Sequence, residues 1–209
     1  MYISHFSELG LAKPIQRSLD EKKYQNPTPI QSKAIPELMN GRDVLGVAQT
    51  GTGKTAAFAL PILHKLYKDR KSEGSISPRA LILAPTRELA IQIAQECKAY
   101  GKYLHLRQTL VYGGVSQKPQ VKALSRGVDI VIATPGRLLD LINQQCLRLD
   151  QVEFFVLDEA DRMLDMGFLP DINKVISKLS KSRQSLLFSA TMPSAIANLA
   201  RKILVNPLS

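Results

Sequence analysis

Two short segments of this sequence combine residue types and spacings that suit the chemistry of phosphates. Residues 48–55 read Ala-Gln-Thr-Gly-Thr-Gly-Lys-Thr and follow the apolar run 44–47. Residues 158–161 read Asp-Glu-Ala-Asp and follow the apolar run 154–157. Each segment therefore has the form of a strand, a sharp turn and a helix-compatible sequence. The first is typical of a loop that holds phosphates, and the second puts carboxylates where a magnesium ion would sit.

The phosphate-loop pattern is Gly, four residues, then Gly-Lys-Ser/Thr, and this chain departs from it at Ala48, which replaces the first glycine. Gly51 and Gly53 let backbone N–H groups converge on an anion, and the helix that begins at Lys54 adds its positive end. Lys54 can reach the outer phosphates, and Thr55 can offer its hydroxyl to magnesium. The alternative is a glycine-rich turn that binds nothing, but Lys-Thr after Gly-x-Gly favours the phosphate loop.

The acidic turn suits a metal ion, because a carboxylate at the end of a buried strand is costly unless positive charge compensates it. A magnesium ion bridging phosphates would compensate Asp158. Glu159 is then the candidate to orient or deprotonate an attacking water, and Asp161 the candidate to hold neighbouring loops in place. The alternative is a helix start, where acidic residues are favoured. The phosphate loop favours the metal, so the two segments together indicate binding and hydrolysis of a nucleoside triphosphate.

Apolar runs alternate with helical patterns along the chain, and the runs are continuous, as expected of strands buried on both faces of a parallel sheet. The predicted strands are residues 44–48, 80–84, 109–112, 129–133, 154–157 and 185–188. The predicted helices are residues 11–24, 30–39, 55–69, 87–103, 119–125, 137–145, 172–178 and 195–203. This order predicts an α/β fold with ligands at the carboxyl ends of the strands, and residues 71–78 are predicted to form an exposed, mobile loop.

The composition favours a polyanionic partner and gives no sign of a cysteine metal site, a signal peptide or a membrane span. The 209 residues carry a net charge of +10, which suits nucleic acid, although general solubility is the alternative. Cys97 and Cys146 have no metal-ligand spacing and are expected to be small buried hydrophobes in a reducing cytosol, so the predicted location is cytoplasmic. We expect no signal peptide in residues 1–10 and no membrane contact, because no apolar run approaches the ~20 residues of a span.

With these motifs in view, the chain resembles the DEAD-box RNA helicases over almost its whole length. The tetrapeptide 158–161 gives that family its name, and alanine at the head of the phosphate loop is the family's own choice. Residues 24–31, Tyr-Gln-Asn-Pro-Thr-Pro-Ile-Gln, resemble the family's adenine-recognition motif, and Phe6 resembles its upstream aromatic. Lys23 stands where the family usually has Gly, which we expect to affect only the turn. Residues 162–168 and 184–188 also resemble the bacterial RhlE-like branch.

The resemblance implies a single RecA-like P-loop NTPase domain, mostly a parallel twisted sheet with helices on both faces, over residues 1–209. Residues 1–40 would be an adenine-recognition helical region and 41–209 the core. The implied cofactors are ATP and Mg²⁺. The expected ATP contacts are Phe6, Tyr24, Thr28, Gln31, Thr50, Gly51, Thr52, Gly53, Lys54, Thr55 and Ala56; the expected metal ligands are Thr55 and Asp158. The expected catalytic residues are Glu159, Lys54, Asp158, Ser189 and Thr191, the last two from a motif that couples hydrolysis to RNA binding.

The chemistry of base selection can be stated for two of these residues. The amide of Gln31 can pair in two places with adenine N6 and N7, and the Tyr24 ring could stack on the base. Guanine presents an acceptor where adenine presents a donor, so this pairing would select ATP over GTP. On sequence alone, an exposed helix residue is the favoured interpretation of Gln31; the resemblance reverses that choice.

The resemblance also implies an RNA partner that is contacted through its backbone. The expected RNA-binding residues are Pro85, Thr86, Arg87, Gly113, Gly114, Thr134, Pro135, Gly136 and Arg137. The arginines and threonines follow strand ends and can donate to phosphate oxygens, while Gly114 and Gly136 permit close approach of a strand. No aromatic residue accompanies these motifs, so we expect little base stacking, little sequence preference and strong salt dependence. The alternative interpretation is that Arg87 and Arg137 are solvated surface charges, which is the commoner role of an isolated arginine.

Members of the resembled family have a second, similar domain that completes the ATP site with arginines, and nothing after Thr191 resembles it. We therefore expect a monomeric ATP-binding half of a helicase whose second domain belongs to the same parent chain. Two other interpretations stay open. One is a nucleotide-dependent RNA-binding module with negligible catalysis, and the other is an unrelated phosphate-loop enzyme such as a small-molecule kinase.

Overall fold

The computed structural model describes residues 3–70 and 77–209, and within them the chain forms a six-stranded parallel sheet. The strands are β1 (Val44–Val47), β2 (Ala80–Leu83), β3 (Gln108–Val111), β4 (Ile130–Ala133), β5 (Phe154–Leu157) and β6 (Gln184–Ser189). Their order across the sheet is β1-β6-β5-β2-β4-β3. All six predicted strands are confirmed to within one residue at each end. Because the strands are parallel, their carboxyl ends share one edge.

The helices connect the strands and cover both faces of the sheet. They are α1 (Lys13–Glu21), α2 (Pro29–Met39), α3 (Lys54–Lys68), α4 (Arg87–Tyr100), α5 (Lys118–Ser125), α6 (Pro135–Asn143), α7 (Ala160–Asp165), α8 (Leu169–Ser177) and α9 (Ser194–Ile203), after a 3₁₀ turn at Phe6–Leu9. The eight predicted helices are present, and α7 begins within the acidic turn, where a helix start was the alternative interpretation but no helix bounds were predicted. Residues 71–76 of the predicted mobile loop lie outside the described residues.

Two hydrophobic cores, one on each face, explain why the strands are continuously apolar. Ile82 and Val156 point into the core formed by α1 to α4. Their neighbours Leu81, Phe155 and Leu157 point into the core formed with α5 to α9. Strands anchored from both faces hold the carboxyl edge in a fixed position, which is what a site built across several strand ends requires.

The two cysteines differ in burial. Cys97 is buried, and burial raises the pKa of its thiol to about 12, so the prediction of a small buried hydrophobe is right for this residue. Cys146 is only partly buried.

The length and hydropathy of the helices bear on whether the chain could span a membrane. In residues 3–70 and 77–209, no helix is long and apolar enough to cross a bilayer.

Candidate functional site

The loop between β1 and α3 has the backbone that a phosphate cradle needs. Gly51 and Gly53 adopt left-handed φ values of 84° and 83°, which residues with a side chain rarely adopt. A Cβ at Gly53 would also lie 2.5 Å from Gln31 Nε2 and 3.0 Å from Thr28 Oγ1, so the loop is packed tightly against α2. Helix α3 begins immediately afterwards at Lys54, and its N–H groups face the loop.

Lys54 and Asp158 form an ion pair at the centre of this site. Lys54 Nζ lies 3.0 Å from Asp158 Oδ1, and the side chains are only 7% and 0% exposed. Asp158 Oδ2 has no hydrogen-bond partner among the described residues. Burial raises the pKa of Asp158, and the nearby Lys54 ammonium opposes the rise. A buried carboxylate oxygen without a partner is costly, so the site is organised for a further positive charge.

The residues present fit a magnesium ion. Mg²⁺ usually binds through one or two protein oxygens and completes its coordination with phosphate oxygens and water. The unpartnered Asp158 Oδ2 supplies a carboxylate oxygen, and Thr55, the second residue of α3, supplies a hydroxyl. Within the described ranges, no cluster of three or more His, Cys, Asp or Glu residues could hold a metal ion by itself.

Glu159 is held in an unusual backbone conformation. Its φ and ψ are 53° and 52°, the left-handed region, which costs a residue with a side chain on the order of 1–3 kcal/mol. Its side chain is 15% exposed, and Oε2 lies 3.4 Å from Arg162 Nη1. Glu159 lines the same cleft of about 550 Å³ as Gly53, Lys54 and Thr55. The strained turn therefore places this carboxylate beside the phosphate loop.

Asp161, the last residue of the acidic turn, holds the carboxyl end of β6. Its Oδ2 accepts hydrogen bonds from the Thr191 backbone N at 3.0 Å and the Thr191 hydroxyl at 2.8 Å. Ser189 Oγ accepts from Asp161 N at 3.1 Å and donates to Thr191 O at 2.7 Å. Burial raises the pKa of Asp161, but the hydrogen bonds from Thr191 outweigh it and leave the pKa below its usual range. The prediction that Asp161 holds neighbouring loops is confirmed.

Two carboxylates of one turn thus have their pKa values pushed in opposite directions. Asp158 is buried without enough partners, whereas Asp161 is surrounded by donors. The two carboxylates therefore differ in environment: Asp158 lacks hydrogen-bond partners, and Asp161 joins the acidic turn to Thr191. Ser189 and Thr191, predicted as catalytic, contact the clamp and do not line the cleft beside the phosphate loop.

The predicted base-recognition residues converge on the same cleft. Phe6, Tyr24, Thr28 and Gln31 all line it, although Phe6 is 5% exposed and Tyr24 is 43% exposed. Gln31 is buried, so the interpretation as an exposed helix residue is wrong. Its Oε1 accepts from Thr28 N at 2.9 Å, and its Nε2 donates to Gly53 O at 2.9 Å. One N–H and one oxygen lone pair of the amide are left, which is the pair that adenine requires.

The remaining residues predicted to contact ATP surround this cleft or support it. Thr50 and Ala56 line the cleft, Thr50 from the exposed loop and Ala56 from the buried first turn of α3. Thr52 stabilises the loop: its Oγ1 donates to Gln49 O at 2.9 Å, and its carbonyl accepts from Thr28 Oγ1 at 3.0 Å. The phosphate loop is therefore tied to α2 through Thr28 and Gln31.

Lys23 takes the place of the usual glycine in a helix-ending turn. Lys23 has a φ of 58°, so it occupies the left-handed position that ends a helix and that usually takes Gly. The N–H of Tyr24 donates to Leu19 O at 2.9 Å across this turn. The chain keeps the turn geometry without the glycine.

Sequence reasoning missed one wall of the cleft, which is a stripe on α4. The stripe consists of Leu89, Gln92, Glu96 and Tyr100. These residues follow one another at spacings of three, four and four, which is the spacing of one helix face. The spacing was visible in the sequence, but only the packing of α4 against α3 shows that this face meets the cleft.

On the other half of the carboxyl edge, the predicted RNA-binding motifs meet at the ends of β2, β4 and β3. Thr86 caps α4, since its Oγ1 accepts from Leu89 N at 3.2 Å, and Arg87 is exposed beside it. Thr134 is the N-cap residue of α6, and Pro135 is the first residue of that helix. The neighbouring glycines leave open space above the edge, since a Cβ on any of them would meet nothing within 4 Å; they are Gly113, Gly114 and Gly136.

Arg137 connects two of these motifs to each other through Gln120, a residue that the sequence did not single out. Arg137 Nη2 donates to Val115 O at 2.9 Å, and Nη1 lies 3.4 Å from Gln120 Oε1. Gln120 is 7% exposed, and its Nε2 donates to Tyr112 O at 3.0 Å. Arg137 therefore uses part of its donor capacity on the loop after β3, and the rest is available to a ligand.

An aromatic residue does accompany the predicted RNA-binding motifs, so the statement that none does is wrong, while little base stacking stays a prediction. Tyr112 follows β3 and precedes Gly113, and the Arg87 guanidinium carbon lies 4.9 Å from the centroid of its ring. The ring holds the guanidinium in a fixed position by a cation–π contact. Arg87 follows β2, and β4 lies between β2 and β3 in the sheet. The contact therefore depends on the strand order, which the sequence alone does not give.

Comparisons with known proteins agree with this arrangement of sites. The family model described as "DEAD/DEAH box helicase" matches residues 28–199. The "ATP-dependent RNA helicase ddx46" of Dictyostelium discoideum is 46% identical over 209 residues, which is 99% of this chain and 18% of that protein. The "ATP-dependent RNA helicase CshA" of Listeria monocytogenes is 47% identical over 205 residues, 98% of this chain and 38% of that protein.

A solved structure shows the same fold. The crystal structure of a DEAD box protein from the hyperthermophile Methanococcus jannaschii superposes with a TM-score of 0.90 at 41% identity. The match covers 100% of this chain and 56% of that one. The sheet and its helices therefore match the RecA-like α/β fold that the resemblance implied.

Proposed function

The chain belongs to the DEAD/DEAH box helicase family, and on that premise we propose that it is the ATP-binding half of an ATP-dependent RNA helicase. The family match removes the interpretation as an unrelated phosphate-loop enzyme. The chain spans 18% and 38% of the two curated relatives described above, so the activity of a whole helicase is part of the proposal.

The observation that carries the proposal is the buried Asp158 carboxylate, whose Oδ2 is unpartnered beside Lys54. A purely structural ion pair would satisfy both carboxylate oxygens, since an unpaired buried oxygen is costly. A site that binds a magnesium-bound triphosphate needs this opening. The strained Glu159 next to it supplies a second, separately placed carboxylate.

The residues around the phosphate loop and the acidic turn have distinct parts in the proposed hydrolysis. The N–H groups of the loop and of α3 bind the phosphates, and Lys54 faces the outer ones. Thr55 and Asp158 would hold Mg²⁺, which when bound neutralises charge on the phosphates. Glu159 orients the attacking water and accepts its proton. Gln31 selects adenine through its remaining N–H and lone pair.

The proposed RNA site occupies the ends of β2, β4 and β3. Arg87 and Arg137 donate to phosphate oxygens, and the open glycines let the strand approach the backbone. The clamp of Asp161 on Ser189 and Thr191 joins the acidic turn to the end of β6. We propose that this clamp is the route by which the nucleotide state reaches neighbouring parts of the enzyme.

A second helicase domain of the same parent chain is also part of the proposal. Phosphoryl-transfer enzymes commonly use an arginine on the transferring group, worth on the order of 10³–10⁵ in rate. The family resemblance assigns that arginine to the second domain. We further propose a monomer in the cytoplasm, which the two free cysteines support, because thiols stay reduced there.

An ATPase assay on the 209-residue chain tests the proposal. We expect slow hydrolysis with little stimulation by RNA, and restored RNA-stimulated turnover when the second domain of the parent is joined to it. Glu159→Gln is the catalytic control, because the amide cannot accept the proton of water. It should keep ATP bound and stop hydrolysis in the joined enzyme.

The outcomes of this assay separate the interpretations. Strong unwinding by this chain alone would overturn the proposal of a half-enzyme. A joined enzyme that binds ATP and RNA but never hydrolyses ATP would favour the RNA-binding module instead. Equal loss of ATP affinity in Glu159→Gln and Lys54→Ala would contradict their separate roles.

A further inference from the structure

Helix α5 carries a stripe of cations on its exposed face. Lys118, Lys122 and Arg126 lie four residues apart, at the start, the middle and the C-cap of the helix, and all three are exposed. At a rise of 1.5 Å per residue, neighbouring members are about 6 Å apart along the axis. Residues 117–126 include no acidic residue, so the stripe has a single sign of charge.

The three charges are not neutralised within the protein. Among residues 3–70 and 77–209, no side chain forms an ion pair or hydrogen bond with the charged group of Lys118, Lys122 or Arg126. Arg17 on α1 behaves differently, since its Nε lies 3.5 Å from Glu21 Oε1. An unpaired row of like charges is unfavourable for the protein itself and favourable for a polyanion.

The stripe is fixed to the proposed RNA site. Gln120, on the buried side of α5, donates to Tyr112 O and accepts from Arg137. Helix α5 begins shortly after the open loop that contains Gly113 and Gly114. The cations therefore continue from the ends of the strands down the side of the domain at β3, the edge strand of the sheet.

We propose that the α5 stripe is an additional RNA-binding surface, which holds the phosphates of the strand where it leaves the ends of β2, β4 and β3. This inference rests on the proposed function. The interactions are ionic and independent of base sequence. RNA long enough to reach α5 gains affinity from them, and RNA that covers only the strand ends does not.

The test compares two double variants with equal changes in charge. Lys118→Glu with Lys122→Glu alters the stripe. Lys13→Glu with Lys98→Glu is the control: Lys13 is the first residue of α1 and precedes a proline, as Lys118 does in α5, and Lys98 is an exposed residue of α4. Affinity is measured for single-stranded RNAs of about 4 and about 16 nucleotides, over a series of salt concentrations.

We expect the stripe variant to bind the long RNA at least about tenfold more weakly than the control variant at low salt, and to bind the short RNA as the control does. The slope of log affinity against log salt for the long RNA should fall by about 0.7 for each phosphate that the variant no longer binds. Equal affinities of the two variants for the long RNA would overturn the inference and leave the proposed function standing. Failure of the unaltered chain to bind either RNA would instead contradict the proposed RNA site.

Discussion

On the β1–β6–β5 half of the carboxyl edge, Lys54 and Asp158 form an ion pair that is almost fully buried. On the β2–β4–β3 half, Arg87 is exposed and Arg137 is only partly buried. The first half has a buried carboxylate oxygen without a hydrogen-bond partner, and the second has open space beside its glycines and arginine N–H groups that the protein does not use. One parallel sheet therefore presents two sites with different electrostatics.

The difference separates two ways of binding phosphate. Buried charges interact strongly and are screened little by salt, so the loss of one partner is severe. Exposed charges interact weakly one at a time, and their contributions are graded and salt-dependent. Substitutions in the first half should therefore have large, specific effects, and those in the second half small and cumulative ones.

Lys54→Ala should give the largest effect. It removes the charge that faces the outer phosphates and leaves Asp158 buried without its partner, which costs about 3–5 kcal/mol of folding stability. ATP binding should be lost as well. Denaturant unfolding and an ATP titration measure the two effects, with Lys68→Ala, an exposed lysine of the same helix, as the control. Adding Asp158→Asn should restore much of the stability and none of the ATP binding; unchanged stability in Lys54→Ala would contradict the buried-pair description.

Asp161→Asn should cost about 1.5–3 kcal/mol near neutral pH, the scale of hydrogen bonds to a charged group. The pKa of Asp161 is lowered in the folded state, so its stabilisation is present above the unfolded-state pKa and is lost as the pH falls through the folded-state pKa. The difference between wild type and variant should therefore shrink in acid. A stability difference that is constant from neutral pH to strongly acidic pH would show that Asp161 does not act as a charged clamp.

Gln31→Ala should reduce the preference for ATP over GTP by roughly 1–3 kcal/mol, the scale of one two-point pairing. It should also loosen the phosphate loop, because the bond from Gln31 to Gly53 is removed. Titration with both nucleotides separates these effects, since loosening weakens ATP and GTP alike. An unchanged ratio of affinities would remove Gln31 from base selection.

Tyr112→Leu should have the smallest effect, a decrease of about 0.5–1 kcal/mol in RNA affinity, because an exposed cation–π contact is worth that much. Tyr112→Phe keeps the ring under Arg87 and is the matched control. RNA binding by Tyr112→Phe should equal that of the unaltered chain. If Phe and Leu weaken binding equally, the hydroxyl matters and the positioning of Arg87 does not.

The sequence predicted the sheet well because burial on both faces leaves a continuous apolar signal, as at Phe154–Leu157. It indicated a helix start at the acidic turn but not the bounds of α7, because six residues are too few to show a helical period. The phosphate loop and the acidic turn were found because their chemistry lies within a few consecutive residues. The contacts of Gln120 with Tyr112 and Arg137, and of Tyr112 with Arg87, depend on strand order and could not be found in the same way.

The most direct test of two electrostatically different sites on one sheet is a pair of salt titrations on the same chain. Affinities for ATP, at fixed free Mg²⁺, and for single-stranded RNA are measured over the same salt concentrations. RNA affinity should fall steeply, with a slope of about 0.7 for each phosphate contacted, while ATP affinity changes much less. Equal slopes for the two ligands, or RNA binding that is insensitive to salt, would contradict the division of the carboxyl edge into a buried and an exposed site.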